Sequence, residues 1–231
     1  MEGRPQQSGV DSQVVIPVDS ITLEGNLTIP SGAPGVVLFA HGSGSSRHSP
    51  RNQLVAAELN RAGLGTLLMD LLTAEEERVD AVTRRLRFDI ALLSQRLVGA
   101  IDWLTREPAT RDRRIGLFGA STGAAAALVA AARRPEAVAA IVSRGGRPDL
   151  ADEALPLVEA PTLLIVGGND NLVIDLNEMA AAKMRGEKRL ALVPGATHLF
   201  EEPGALEEVA RLARDWFVTY LRRGGSPGRS S

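Results

Sequence analysis

The stretch that most constrains this chain is Ile115-Gly116-Leu117-Phe118-Gly119-Ala120-Ser121-Thr122-Gly123, followed at once by an alanine-rich run from Ala124 to Ala132. An apolar strand-like segment runs into Gly-x-Ser-x-Gly, and a strong helix former leaves it. A serine in that setting is held on a sharp strand-to-helix turn, a nucleophile elbow. Gly119 and Gly123 have no Cβ to clash, so strand and helix can pass close together while Ser121 Oγ points outward. The helix that begins beside the serine presents its first N–H groups there and favours negative charge.

The pattern around the elbow alternates buried strands with helices. Continuous apolar runs at Gly35 to Ala40, Gly65 to Leu72, Arg114 to Phe118, Val138 to Val142, Pro161 to Val166 and Arg189 to Val193 read as strands. A hairpin over Gln13 to Asp19 and Leu23 to Ile29, joined at Ser20, precedes them. Helices are expected at Pro50 to Ala62, Phe88 to Thr105, Ser121 to Arg134, Leu176 to Met184 and Pro203 to Arg222, with a short one in Asp149 to Val158. Thr73-Ala74-Glu75-Glu76 has capping-box spacing. The polar segment from there to Arg87 reads as a solvated helix, the alternative being a segment folded over the site. The implied fold class is α/β: a mostly parallel sheet of about eight strands with helices on both faces and no large cap domain. Residues 14–222 form one domain, between a flexible N-terminus (1–13) and a disordered tail (223–231).

In such a sheet the loops after the strands share one edge, where ligands bind. Four sites on that edge carry chemistry: His41-Gly42-Ser43-Gly44-Ser45-Ser46, Ser121, Asp170 and His198. The chain order of serine, aspartate and histidine is that of a Ser-Asp-His triad. Serine alone is too weakly acidic to attack; a neutral histidine takes its proton and an aspartate fixes the histidine tautomer. Asp175 and Asp70 are the alternatives to Asp170. The backbone N–H groups of Thr122 and Ser43 are the expected oxyanion donors, with Gly44 in reserve. His41 is expected to order its loop, and His41 and Gly44 also count among the candidate substrate-binding residues. Arg47, Arg51, Arg144 and Arg147 lie in or next to loops of this edge. Arg47 and Arg144 are candidates to bind a substrate carboxylate, against a solvated surface role for each.

Composition excludes several classes. The chain has no cysteine, so there is no disulfide, thiolate metal site or cysteine nucleophile. Its formal net charge is -2, so no overall field draws in nucleic acid or an anionic membrane. No apolar run approaches the ~18 residues of a membrane span, and the polar start lacks a secretory signal; a cytoplasmic location is the default expectation. Nothing in the pattern sets an oligomeric state.

On His41-Gly42-Ser43-Gly44, Gly119-Ala120-Ser121-Thr122-Gly123, Gly167-Gly168-Asn169-Asp170 and Gly195-Ala196-Thr197-His198, the chain resembles the α/β-hydrolase superfamily. Within it, the chain is most similar to the small, lidless dienelactone-hydrolase-like proteins. The resemblance implies hydrolysis of a small-molecule ester through an acyl-serine intermediate, with no metal and no organic cofactor. Thioesterase, lactonase and amidase chemistry would use the same constellation. One departure stands out: dienelactone hydrolases proper use a cysteine nucleophile, and here the position is Ser121.

Two readings from other classes compete. A nucleotide-binding module would use Gly116-x-x-Gly119-x-x-x-Gly123 beneath a pyrophosphate, but the next strand runs into Ser143-Arg144 where an acidic residue belongs. A non-catalytic scaffold of the same fold would be expected to lack a triad residue, and all three are offered.

Overall fold

The computed structural model describes residues 9–222, so the reading of residues 1–8 as flexible and of 223–231 as disordered lies outside the described residues. Eight strands form one sheet: β1 (Val10–Val18), β2 (Ile21–Ile29), β3 (Gly35–Ala40), β4 (Gly65–Met69), β5 (Arg114–Ala120), β6 (Val138–Arg144), β7 (Thr162–Gly167) and β8 (Lys188–Val193). Their order across the sheet is β1-β2-β4-β3-β5-β6-β7-β8. The β1–β2 hairpin pairs antiparallel, as does β2 with β4, and the pairs from β4 through β3, β5, β6 and β7 to β8 are parallel. Six α-helices accompany the sheet: α1 (Pro50–Arg61), α2 (Ala74–Thr83), α3 (Ile90–Leu104), α4 (Thr122–Arg133), α5 (Asn171–Lys183) and α6 (Ala205–Leu221). The fold is the α/β-hydrolase fold, with no cap domain among the described residues.

Burial on both faces explains the uniformly apolar strands. Every residue of β3, β4 and β7 is buried. One face packs Leu38, Leu117 and Ile141 against α3 and α4; the other packs Phe39, Phe118 and Val142 against α1 and α6. Phe39 and Phe118 are register partners on adjacent central strands with ring centroids 4.9 Å apart. Each such side chain contributes about 1.5–3 kcal/mol on burial, so the strands leading to the functional edge are rigid supports. No helix of the described residues is long and apolar enough to cross a membrane.

Several boundaries differ from the sequence reading. β1 starts at Val10 rather than Gln13, because Val10 through Gln13 pair with Asn26 through Ile29; residues 10–13 therefore belong to the sheet and not to a flexible N-terminus. β6 continues through Ser143 and Arg144, read from sequence as loop, because they ladder with Gly119 and Ala120. α5 starts at Asn171 rather than Leu176. The polar Asn169-Asp170-Asn171 cluster is a turn only up to Asp170, whose carbonyl accepts the first helical bond from Ile174 at 2.9 Å. The capping box at Thr73 forms as expected, with Thr73 N–H donating to Glu76 Oε2 (2.8 Å) and Glu76 N–H to Thr73 Oγ1 (3.2 Å).

Candidate active site

Ser121 stands between β5 and α4 with φ 50° and ψ -120°. Positive φ is costly for a residue with a Cβ, about 1–3 kcal/mol, and persists only where the surroundings over-determine it. Here Ser121 N–H donates to Arg144 O (3.3 Å), and Ser121 O accepts from Ala124 N–H (3.1 Å) and Arg147 N–H (3.2 Å). The flanking glycines permit the turn: a Cβ on Gly119 would sit 2.4 Å from Ala124 Cα, and one on Gly123 2.3 Å from Ala40 O. Strand, turn and helix thus meet at a separation only glycine allows.

Asp170 and His198 are brought together from the ends of β7 and β8. His198 Nδ1 lies 2.8 Å from Asp170 Oδ2. A carboxylate can only accept, so Nδ1–H is the donor of this contact, and in the neutral tautomer that it favours the lone pair lies on Nε2. The two loops are tied to each other: Asn169 N–H donates to Ala196 O (2.9 Å) and Asn169 Nδ2 to Gly195 O (3.0 Å). Glu202 Oε1 accepts from Thr197 N–H (3.0 Å) and Thr197 Oγ1 (2.6 Å) and closes the histidine loop. His198 lies against the end of β6, where a Cβ on Gly145 would come 3.6 Å from His198 Cε1. The residue before it, Arg144, holds the Ser121 amide, so serine and imidazole flank one piece of backbone. No hydrogen bond joins Ser121 Oγ to the ring among the described residues; such bonds often tighten only with substrate bound. Neither alternative acid reaches the ring: Asp175 is on α5, and Asp70 is engaged by Arg47.

The loop after β3 faces the start of α4. Ser43 Oγ lies 3.0 Å from Thr122 Oγ1 and donates to Arg87 O at 3.3 Å. The amides of Ser43 and Thr122 donate to no protein acceptor among the described residues. Two unsatisfied N–H groups beside a serine are what a developing oxyanion requires. His41 supports this loop from beneath. It is buried, its Nδ1 bonds Gly42 O (3.0 Å), and its Nε2 accepts from Leu71 N–H (3.1 Å). This fixes a neutral tautomer, and burial pushes the ring's pKa down, against opposing effects from the Gly42 carbonyl bond and the Asp70 charge. Gly44 takes φ 66° in the same turn.

Next to Ser43 and Thr122 opens a cavity of about 460 Å³, also lined by Leu72, Leu93, Asp80 and Arg87. One wall is formed by Glu77, Asp80 and Arg87; α2 is otherwise the solvated helix that the sequence reading expects, with Asp80 its only buried residue. Asp80 is 3% exposed and accepts from Leu86 N–H (2.8 Å), Arg87 N–H (3.2 Å) and Arg87 Nε (2.5 Å). Burial works to raise its carboxyl, but the Arg87 and Leu86 bonds outweigh burial and hold it below the usual carboxylate range. Sequence inspection missed Asp80 and Arg87; their only signal was an acid and a base seven residues apart in a segment with little apolar periodicity.

The arginines separate clearly. Arg47, a candidate for substrate binding, is ion-paired with Asp70 and with Glu24 (2.5 Å), and its N–H donates to Asp70 Oδ1 at 2.8 Å. It therefore braces its loop against β2 and β4 instead of facing a ligand. Arg147 forks onto Asp149 at 2.9 and 2.8 Å. Arg144 is buried, its guanidinium makes no hydrogen bond or ion pair among the described residues, and Nη1 is orphaned. The described residues contain no group of three or more His, Cys, Asp or Glu placed to hold a metal ion.

The dienelactone hydrolase family model matches residues 23–220. A crystal structure of a dienelactone hydrolase from Anabaena variabilis is 62% identical, with TM-score 0.92, covering 94% of this chain and all of that one. Est1E from Butyrivibrio proteoclasticus shares the fold at 15% identity, with TM-score 0.75, covering 90% of this chain and 98% of its own. A Mycobacterium tuberculosis protein, named only provisionally as a phosphoribosyl transferase, is 55% identical over 218 residues, 94% of this chain and 48% of that protein. The chain thus spans about half the length of the mycobacterial relatives it matches.

Proposed function

Because this chain belongs to the dienelactone hydrolase family, we propose that it is a serine hydrolase cleaving carboxylic esters through an acyl-serine intermediate. The observation that carries the reading is the 2.8 Å contact of His198 Nδ1 with Asp170 Oδ2, on the same sheet edge as the strained Ser121. In this mechanism His198 Nε2 takes the Ser121 proton as Oγ attacks the ester carbonyl. Asp170 holds the tautomer and stabilises the imidazolium. The carbonyl oxygen turns toward the Ser43 and Thr122 amides as it gains charge. The same imidazolium protonates the leaving alcohol, and water then repeats the sequence on the acyl-serine.

A cavity of about 460 Å³ beside the oxyanion donors suits a small acyl or alcohol group. The transferase name of the mycobacterial relatives belongs to proteins about twice this long, and the hydrolase family model covers residues 23–220 here.

Labelling with a fluorophosphonate tests the nucleophile. Wild-type protein should label at Ser121 and turn over p-nitrophenyl esters of short acyl chains, and Ser121→Ala should do neither. Turnover retained in pure Ser121→Ala would end the reading. Lactones and thioesters in the same panel separate ester hydrolysis from the related chemistries.

A further inference from the structure

The cavity beside the oxyanion donors lies on one side of the nucleophile only. It is bounded by the loop after β3, the end of β4 at Leu71 and Leu72, the α2 segment and Leu93 of α3. Asp170 and His198 follow β7 and β8, and Ser121 follows β5. The strand order therefore puts the cavity and the histidine on opposite sides of the serine. Gly42 joins cavity to nucleophile: it lines the cavity, and a Cβ there would sit 3.3 Å from Ser121 Cβ. A tetrahedral intermediate on Ser121 Oγ carries an oxyanion, a leaving alcohol and an acyl chain. The oxyanion faces the Ser43 and Thr122 amides, and the alcohol faces His198, which protonates it. The acyl chain is left with the side away from the histidine, and that side is the cavity.

One unpaired acid sets the charge of that cavity. Among the ionisable groups lining it, Asp80 and Arg87 neutralise each other across a 2.5 Å contact, and buried His41 is held neutral. His48 is exposed. Glu77 of α2 lines the same space, and its carboxylate takes part in no hydrogen bond or ion pair among the described residues. It is open to solvent, so a substrate can reach it. Partial desolvation and then the Asp70 charge push its carboxyl up; Arg47 opposes this and Asp80 adds to it. Arg47 does not serve as its partner, because Asp70 and Glu24 hold that guanidinium. A cation entering the cavity supplies the missing counter-charge. The apolar part of the lining, Leu71, Leu72 and Leu93, suits the methylenes of a short chain. We propose that the cavity is the acyl subsite and that Glu77 selects acyl chains ending in an ammonium-type cation. The proposal rests on the ester-hydrolase reading for the reaction, but not for binding of the cation.

The test uses p-nitrophenyl esters whose acyl chains, equal in length, end in trimethylammonium, tert-butyl or carboxylate. The cationic ester should exceed its neutral isostere by about two- to fivefold in kcat/KM, the worth of a partly exposed ion pair, mostly through KM. The carboxylate ester should be the poorest of the set, and added salt should erode the cationic preference. Glu77→Gln should bring the cationic-to-neutral ratio toward one. Glu75→Gln, at an exposed acid of α2 outside the cavity lining, should keep it. Moving the cation to the alcohol, in esters of choline and of its tert-butyl isostere, should give no preference that depends on Glu77. A second arm needs no turnover: Ser121→Ala is titrated calorimetrically with the trimethylammonium-ended amide and with its tert-butyl isostere, with and without Glu77→Gln. Cation binding weakened by Glu77→Gln supports the subsite even where every ester fails as substrate. Equal rates on cationic and neutral esters in the wild type, or a ratio and cation binding untouched by Glu77→Gln, overturn the proposal. So does a best rate on the carboxylate ester, which would give the cavity's charge to Arg87, or a Glu77-dependent preference for choline esters, which would make the cavity the alcohol subsite.

Discussion

Gly123→Ala is the perturbation that best separates an elbow built for chemistry from a glycine-rich turn. The new Cβ would lie 2.3 Å from Ala40 O and 2.4 Å from His41 O, about 1 Å short of ordinary contact at about 3.4 Å. Both neighbours are backbone, so no side chain can swing aside. Either α4 lifts or the end of β3 retreats, and each carries one oxyanion donor: Thr122 on the helix, Ser43 two residues past His41. Overpacking of this kind costs about 1–3 kcal/mol, which for a domain of this size lowers Tm by roughly 2–12 °C. A shift of about 1 Å in catalytic groups costs about a hundredfold. Hydrolysis of a p-nitrophenyl ester should therefore fall by at least that factor in protein that remains folded. Gly32→Ala is the control, since its φ is 69° with nothing within 4 Å; it should lose about 1–2 kcal/mol of stability and keep its activity. If Gly123→Ala matches wild type in both kcat/KM and Tm, the Ser43 and Thr122 amides are not the donors the mechanism assigns.

Three further outcomes are expected. Asp170→Asn should lower kcat by up to about 10⁴-fold, because an amide lets the imidazole take the wrong tautomer; substantial activity in that variant would remove Asp170 from the mechanism. His41 is held neutral in the fold with its pKa below 6.5. The unfolded chain takes the proton first as pH falls, so the stability this gives is complete above about pH 6.5 and is lost progressively below it. Chemical denaturation at pH 7 and pH 5.5 should show a steeper loss in wild type than in His41→Gln, and equal losses would remove His41 as the cause. Asp80→Asn should release Arg87 and loosen the cavity wall, raising KM and speeding amide exchange over residues 84–90; unchanged exchange would mean that the wall is held by other contacts.

What could be read from the sequence was local or periodic. β3, β5 and β7 are buried on both faces, so their runs are unbroken in the chain and their bounds fell within two residues of the reading. The elbow needs two glycines at fixed spacing around a serine, a constraint of a few ångströms that the chain must meet locally. Asp170 and His198 were found because each follows a strand whose end the apolar run marks. Their 2.8 Å contact spans 28 residues and could be expected only from the parallel sheet that aligns the strand ends.

What the sequence leaves hidden shares one cause, pairing across distances that it does not encode. Arg47 and Arg144 look alike in the chain, each beside a glycine- or serine-rich loop. Arg47 lies 23 residues from both Glu24 and Asp70, and β2 and β4 are brought beside it only by the sheet. Arg144 is placed one strand length past Val138, and whether that residue ends in solvent or in the core depends on how far β6 stays paired with β5. Ser143 and Arg144 carry weak strand signal of their own; Gly119 and Ala120 hold them in the ladder. The same geometry that seats Ser121 on the Arg144 carbonyl therefore buries the Arg144 guanidinium.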